Sequence, residues 1–285
     1  MGSARAYHLS DSRAKKQEKR TSLMDTTLKE MIRPLVPKQV LEMKRRLYFY
    51  FIDETRSVPL DVLRLDPRIP FAHLARKRLA DQMELAHRGI NWCAHTHSEI
   101  VTVVSQILRA PQSIAGVILE AGCFKGGSTA KLSLAAQLSG RKLLVFDSFE
   151  GLPVVAEQEK HNFSKGDYEG RLEEVQKNVR TYGAIEACEF FRGWFEQTLP
   201  SLAEPVAVAF VDVDLRDSLK TCLSYIYPKL VPGGSIFSHD GHLPQCVELM
   251  RNEEFWHNLG GPAPQFKGLG TRKLVRIRKP LRADA

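Results

Sequence analysis

The chain has 285 residues, 43% of them hydrophobic and 26% charged, and carries a formal net charge of +8. That length suits one large α/β domain with appendages, and no apolar run approaches the roughly 20 residues of a membrane-spanning helix. Five cysteines (Cys93, Cys123, Cys188, Cys222, Cys246) without CxxC spacing, and an N-terminus without an apolar signal core, fit a reducing cytoplasm and fit a disulfide framework or zinc cluster poorly.

Residues 1–20 hold six Lys/Arg against two Asp/Glu, and are expected to be a basic tail without packed structure. KQVLEMKRRLYFYF (38–51) has the pattern of an amphipathic helix, and a loop with Pro59, Pro67 and Pro70 follows. PFAHLARKRLADQMELAHRG reads as a helix closed by Gly89, and THSEIVTVVSQILRA (96–110) as another, with Thr96 and Glu99 at the spacing of a capping box. From residue 115 the rhythm changes to alternating strands and helices. AGVILEA, KLLVFD, CEFFRG and PVAVAFVDVD are apolar strands, PGGSIFSHD is a strand behind a Pro-Gly-Gly turn, and TRKLVRIRK is an alternating strand suited to a sheet edge. Between them GSTAKLSLAAQLSG, RLEEVQKNVRTYG and SLKTCLSYIYPKL read as helices, and LPQCVELMRNEEFW as one more. The last 21 residues hold seven Lys/Arg against one acid, so the 244 residues between the two ends sum to about −2. The body is close to neutral, no nucleic-acid module is recognisable, and nucleic acid is not the expected partner.

Strands alternating with helices imply a doubly wound, mostly parallel sheet, whose ligands bind beyond the carboxyl ends of the strands. Five strand ends fall there: Glu120–Ser128, Asp147–Gly151, Gly193–Phe195, Asp212–Arg216 and Ser238–His242.

The first of these, LEAGCFKGGST, resembles a phosphate loop without being one. Ser128 stands where a P-loop needs lysine, and Phe124 stands where a dinucleotide fingerprint needs its middle glycine. Glu120 at the strand end would repel a phosphate a few ångströms away by about 4 kcal/mol at an effective dielectric near 20. It suits an ammonium or sulfonium instead. The glycines let a ligand approach the backbone, and the following helix N-terminus favours a carboxylate. A ligand with an amino-acid end, a positive sulfur and a nucleoside meets all three demands, and S-adenosylmethionine is that ligand. Asp147 ends the next strand, 20 residues after Gly127, at a spacing suited to ribose hydroxyls. Trp194 and Phe195 follow Gly193 and would either stack on adenine or pack beneath a loop.

FVDVDLRDS places Asp212 and Asp214 two residues apart, pointing the same way on an extended chain, and SHDGH places His239 and Asp240 on the neighbouring strand end. Asp212, His239 and Asp240 form a candidate metal set. The acids favour Mg²⁺, and the imidazole shifts preference toward Mn²⁺ or another transition ion. Asp214 beside them is a candidate general base. Strand-end acids that are merely solvated, or that cap helices, are the competing reading, as is a structural His239. His242 and His257 read as surface residues.

Taken together, GVILEAGCFKGGST, LLVFDSFEGLP, YEGRLEEVQKNVRTYG, FFRGWFEQTLP and FVDVDLRDSLKTCLSYIYPKLVPGG resemble, in order, the motifs of the macrocin/mycinamicin sugar O-methyltransferase family (TylF/MycF type) over residues 96–242. These are class I S-adenosylmethionine enzymes. The resemblance implies a seven-stranded Rossmann-like sheet in a methyltransferase domain (96–285), and the helical patterns before it are expected to form an N-terminal helical extension or lid (21–95). It implies cofactor contacts from Glu120, Gly122, Ser128, Asp147, Ser148, Gly193, Trp194 and Phe195, with Thr96 from a looser match. Phe124 and Asp212 complete the candidate cofactor set. It also implies Mg²⁺ ligation by Asp212 and Asp240, Asp214 as base, and a small-molecule hydroxyl acceptor on a sugar or secondary metabolite. His239-Asp240-Gly241 replaces the family's Asp-Asp-Tyr, and Arg216 replaces an aromatic. Residues 1–90 show no clear match and are expected to shape the pocket or a homo-oligomer. A metal-independent transferase acting on nitrogen or another oxygen, and a non-catalytic cofactor-binding module, stay open as alternatives.

Overall fold

The computed structural model describes Leu63 and residues 69–90, 92–110 and 114–280, all within the unit Ile52–Ala285. The expected basic tail and the helix at 38–51 lie outside the described residues. The elements run α1 (His73–Gly89), α2 (His97–Arg109), β1 (Val117–Ala121), α3 (Gly127–Ser139), β2 (Leu143–Asp147), α4 (Leu172–Tyr182) and β3 (Cys188–Arg192). A single turn α5 (Phe195–Thr198) leads to β4 (Val206–Val211), α6 (Arg216–Lys229), β5 (Leu230–Ser238), α7 (Pro244–Arg251), α8 (Glu253–Asn258), β6 (Gln265–Lys267) and β7 (Val275–Arg278).

The seven strands form one sheet in the order β3-β2-β1-β4-β5-β7-β6, parallel from β3 through β5 and antiparallel at β7 and β6. The order reverses between β1 and β4, which is where a doubly wound sheet opens a ligand crevice.

Period-two alternation decides which strand residues meet which helices. Ile118, Val145, Val208, Phe210 and Phe237 join the core shared by α1, α2, α3 and α4. Leu119, Ala121, Phe146, Ala209, Val211 and Ile236 join the opposite core under α6, α7 and α8. Glu120, between Leu119 and Ala121, therefore shares the α3 face of the sheet. Asp212 and His239 continue the Phe210 and Phe237 rows on that face, and the rings of Phe210 and His239 are 6.2 Å apart.

Three expectations are corrected. TRKLVRIRK does not form the edge: β7 is paired on both sides, and the three-residue β6 is the outer strand. Its positive charge is instead used along the sheet, where Arg276 donates to Ser235 Oγ at 3.0 Å. The Pro-Gly-Gly segment is not a turn before β5 but a bulge inside it. The register jumps from Val206–Leu230 to Val208–Ser235, and Gly233 takes a φ of 78° that only glycine adopts readily. The helix read over 243–256 is two helices, because Asn252 stops α7 and caps α8, its Oδ1 accepting from Phe255 N at 3.0 Å.

Candidate active site

The glycine turn is built by three local facts. β1 ends at Ala121, and Gly122 takes a φ of 82°. A side chain at Gly122 would collide with the carbonyl oxygen of Asp212, so the turn presses backbone to backbone against the end of β4. Gly126, also left-handed, opens α3 as its N-cap and donates to Cys123 O at 2.8 Å. Phe124 adopts the same glycine-like backbone at φ 47°. Its ring is held edge-on by Trp92 at 5.8 Å and Tyr168 at 5.7 Å.

Glu120 lies under this turn with no exposed surface. Neither carboxylate oxygen has a hydrogen-bond partner among the described residues, and the buried Thr129 hydroxyl has none either. Burial pushes the Glu120 carboxyl up to about 8, with Asp147 and Asp212 adding to the rise and the nearby Ser128 and Thr129 hydroxyls only easing it. An unmet buried carboxylate is costly. A cationic ligand group placed near it would relieve that cost, so the residues present fit the ammonium or sulfonium of S-adenosylmethionine.

Asp147 ties the first two strand ends together. Its Oδ2 accepts from Cys123 N and its Oδ1 from Phe149 N, each at 2.7 Å. Burial raises its pKa, and those backbone donors hold it back. Each oxygen keeps a further lone-pair direction for a ligand hydroxyl. The Ser148 hydroxyl serves its own turn, donating to Gly151 O at 3.0 Å and accepting from Glu150 N at 3.1 Å. Gly193, at φ 145°, donates to Asp147 O at 3.0 Å and so brings the third strand end alongside. Trp194 is half-buried beside it, while Phe195 packs against the α6–α8 core.

The acids at the ends of β4 and β5 do meet, but as a different trio from the one expected. Carboxylate oxygens of Asp212, Asp214 and Asp240 all lie within 4.8 Å of one another. His239 stands outside this trio. Its Nδ1 is 3.3 Å from Asp212 Oδ1 and its Nε2 is 3.2 Å from Glu99 Oε2. The reason is period two: His239 and Asp240 are adjacent, so they diverge, His239 toward α2 and Asp240 toward the loop after β4. Burial alone would lower the His239 pKa, but Asp212 and Glu99 raise it to about 10. Burial alone would raise Glu99, but His239 and the Thr96 donors hold it at about 2. His239 is thus a cation set between two carboxylates.

Asp240 organises the loop that carries Asp214. Its Oδ2 accepts from Val213 N at 3.3 Å and its Oδ1 from Asp214 N at 3.2 Å. Burial, followed by the Asp212 charge, raises its pKa. Asp214 itself sits at φ 60°, spanned by a 2.6 Å hydrogen bond from Leu215 N to Val213 O, the pattern of a γ-turn. This left-handed geometry aims the residue out of the strand row and stores strain at the site. Three hard oxygen donors so placed fit a divalent cation of the Mg²⁺ class.

Two contributors escaped sequence reasoning. Glu99 was visible only as a capping-box residue. Its Oε2 accepts from Thr96 N at 2.8 Å and Thr96 Oγ1 at 3.0 Å, as expected of the box, but also meets His239. Thr96 therefore reaches the acidic end of the sheet through Glu99. Glu159 is buried and its Oε1 accepts from Arg216 N at 3.0 Å, capping α6 from a distant loop. The Arg216 guanidinium lies 3.4 Å from Asp217 on a partly exposed surface. His242 and His257 are exposed, as expected.

A profile of the family described as "Macrocin-O-methyltransferase (TylF)" matches residues 54–267. The chain is 29% identical over 170 residues to an 8-demethyl-8-(2,3-dimethoxy-alpha-L-rhamnosyl)-tetracenomycin-C 4'-O-methyltransferase of Streptomyces olivaceus, covering 55% of this chain and 65% of that one. It is 29% identical over 203 residues to a mycinamicin III 3''-O-methyltransferase of Micromonospora griseorubida, covering 66% of this chain and 78% of that one. Among solved structures, the O-methyltransferase NovP superposes with a TM-score of 0.56 at 22% identity, over 79% of this chain and 98% of NovP, a likeness of fold. With the family profile spanning three quarters of its length, the chain belongs to the macrocin-O-methyltransferase (TylF) family of methyltransferases and has their class I fold.

Proposed function

We propose that the protein is an S-adenosylmethionine-dependent O-methyltransferase acting on a hydroxyl of a sugar or other natural product. The observation that carries this reading is Glu120, a fully buried carboxyl group beneath a glycine turn whose oxygens have no hydrogen-bond partner among the described residues. Family membership supports the reaction class, and the names of the two relatives support a hydroxyl on a glycosylated natural product as acceptor.

When bound, S-adenosylmethionine would supply a methyl group on a positive sulfur, and a divalent cation held by Asp212 and Asp240, beside Asp214, would supply charge that favours the deprotonated acceptor oxygen. The residues of the chain do the rest. Glu120 balances the positive end of the methionine portion. Asp147 accepts from ribose hydroxyls, and Trp194 offers a face for adenine. Asp214 receives the proton leaving the acceptor hydroxyl, its carboxylate held on the γ-turn that Asp240 clamps. His239 neutralises Asp212 on the side away from that proton transfer, and Glu99 holds His239 in place. Rate enhancement on this reading comes mainly from fixing oxygen and methyl carbon in line.

A metal-independent version of the same reaction has one observation in its favour: Asp212 already faces a cation, the His239 imidazolium. Activity undiminished after exhaustive chelation would select it. Calorimetric titration with S-adenosylhomocysteine tests the cofactor reading itself. The expected result is one site per chain, weakened at least tenfold by Glu120→Gln. Absence of binding by the unmodified chain overturns the reading.

A further inference from the structure

Lys131 is the second turn of α3, directly behind the glycine turn, and its side chain has no exposed surface. Its Nζ lies 2.9 Å from His95 Nε2, 3.3 Å from His87 Nδ1 and 3.5 Å from Cys93 Sγ. Among the described residues these three are its hydrogen-bond partners, and none is a carboxylate. Lysines are rarely buried without an acid, so this one is not explained by an ion pair. Methyl transfer as described above makes no use of it.

Cys93 is placed for a reaction with that amine. It is partly exposed, whereas Lys131 is sealed in, so an oxidant from solvent reaches the sulfur first. The sulfur is also seated on the glycine turn: a methyl group at Gly127 would come within 2.7 Å of Cys93 Sγ, and the adjacent Trp92 packs on Phe124.

We propose that Cys93 and Lys131 are a modification site at which peroxide forms a covalent sulfur–nitrogen cross-link. Hydrogen peroxide transfers one oxygen to the Cys93 thiol. The O–O bond breaks, an S–O bond forms, and water leaves, so sulfur is oxidised by two electrons and peroxide is reduced. The sulfenic acid so formed condenses with nearby nitrogen nucleophiles. His95 Nε2 takes one proton from Lys131 Nζ and later passes it to solvent. The freed nitrogen lone pair attacks sulfur, the N–S bond forms, the S–O bond breaks, and the departing hydroxide takes a second proton from nitrogen to leave as water. The product joins the segment over the cofactor turn to the helix that follows the turn. A thiol reductant reverses it by exchange at sulfur.

The experiment uses the full-length protein, treated with hydrogen peroxide, alkylated, digested and mapped by mass spectrometry. The expected product is a joined pair of peptides carrying Cys93 and Lys131, with the summed mass less two hydrogens. Dithiothreitol returns it to separate peptides, and it is absent from Cys93→Ser and Lys131→Arg. Recovery of Cys93 as an alkylated thiol, a sulfinic acid or a disulfide, with Lys131 unmodified, overturns the proposal. The peptide map of the unsubstituted chain decides the matter even if Lys131→Arg does not fold.

Discussion

His239 and Glu99, 140 residues apart in sequence, meet at 3.2 Å and join the N-terminus of α2 to the end of β5. On its other side His239 meets Asp212 at 3.3 Å. Removing the imidazole leaves two partly buried carboxylates facing each other. Breaking such a pair in a fully buried setting costs about 3–5 kcal/mol. Both acids retain some exposure, and solvent reduces the figure. His239→Gln is expected to lower stability by about 2 kcal/mol in urea denaturation. A midpoint unchanged from the parent chain would show that the bridge carries no stability.

Gly122 makes a second, sharper demand. Its φ of 82° and the collision of any Cβ with the Asp212 carbonyl oxygen act together. Gly122→Ala is expected to cost on the order of 3 kcal/mol, more than the usual left-handed penalty, because β1 and β4 must separate to admit the methyl group. Where the variant folds, S-adenosylhomocysteine affinity should fall at least tenfold. Wild-type melting temperature and affinity together would refute the close approach.

Glu120 sets a pH dependence with a definite sign. Its pKa is raised from 4.5 to about 8 in the folded chain. Between those values the folded state keeps a proton that the unfolded chain has released. The Glu120 contribution to stability is thus fully present below 4.5 and is lost as pH rises through 8. Glu120→Gln removes that loss. Its advantage over the parent chain should grow across this window, to on the order of 5 kcal/mol at the alkaline end. A cationic ligand binds the ionised carboxylate, so binding should release a proton and tighten as pH rises toward 8. Denaturation curves and buffer-dependent calorimetric heats check both. A gap between the two chains that stays constant with pH would dismiss the raised pKa.

Asp214 and Asp240 are separable by kinetics. On the proposed reading Asp214→Asn removes the proton acceptor and should lower kcat by about 10²–10⁴-fold, with S-adenosylhomocysteine affinity unchanged. Asp240→Asn should act through the Asp214 turn, because it loses an acceptor for Val213 N and Asp214 N. It should depress activity and loosen the loop, seen as faster amide exchange at 213–215. Full activity in Asp214→Asn would remove it from the mechanism while leaving the fold and cofactor reading intact.

The glycine turn, the capping box at Thr96 and the strand–helix alternation were legible because each is set by residues within a few positions of one another. Gly122 and Gly126 sit where a left-handed backbone favours glycine, and Glu99 follows Thr96 at the spacing that the hydrogen bonds demand. Misreadings came where a distant partner decides. The Pro-Gly-Gly segment looks like a turn locally, and becomes a bulge because β4 pairs on both sides of it. TRKLVRIRK alternates like an edge, and becomes an inner strand because Gln265–Lys267 pairs outside it. The carboxylates that cluster, Asp212, Asp214 and Asp240, differ from the expected set of Asp212, His239 and Asp240, and the warning was local: adjacent residues such as His239 and Asp240 point apart on an extended chain.

The sequence alone therefore determined the class of fold and the glycine turn that ends β1, since strand–helix alternation and turn glycines are set by residues close together in the chain. Only the tertiary structure decided that the Glu120 oxygens have no hydrogen-bond partner among the described residues, that Asp214 completes the acidic trio, and that His239 is set between Asp212 and Glu99. Those outcomes depend on which side chains meet across a sheet and a helix far apart in sequence, and hydrogen bonding and charge at such distances are set by packing rather than by local pattern.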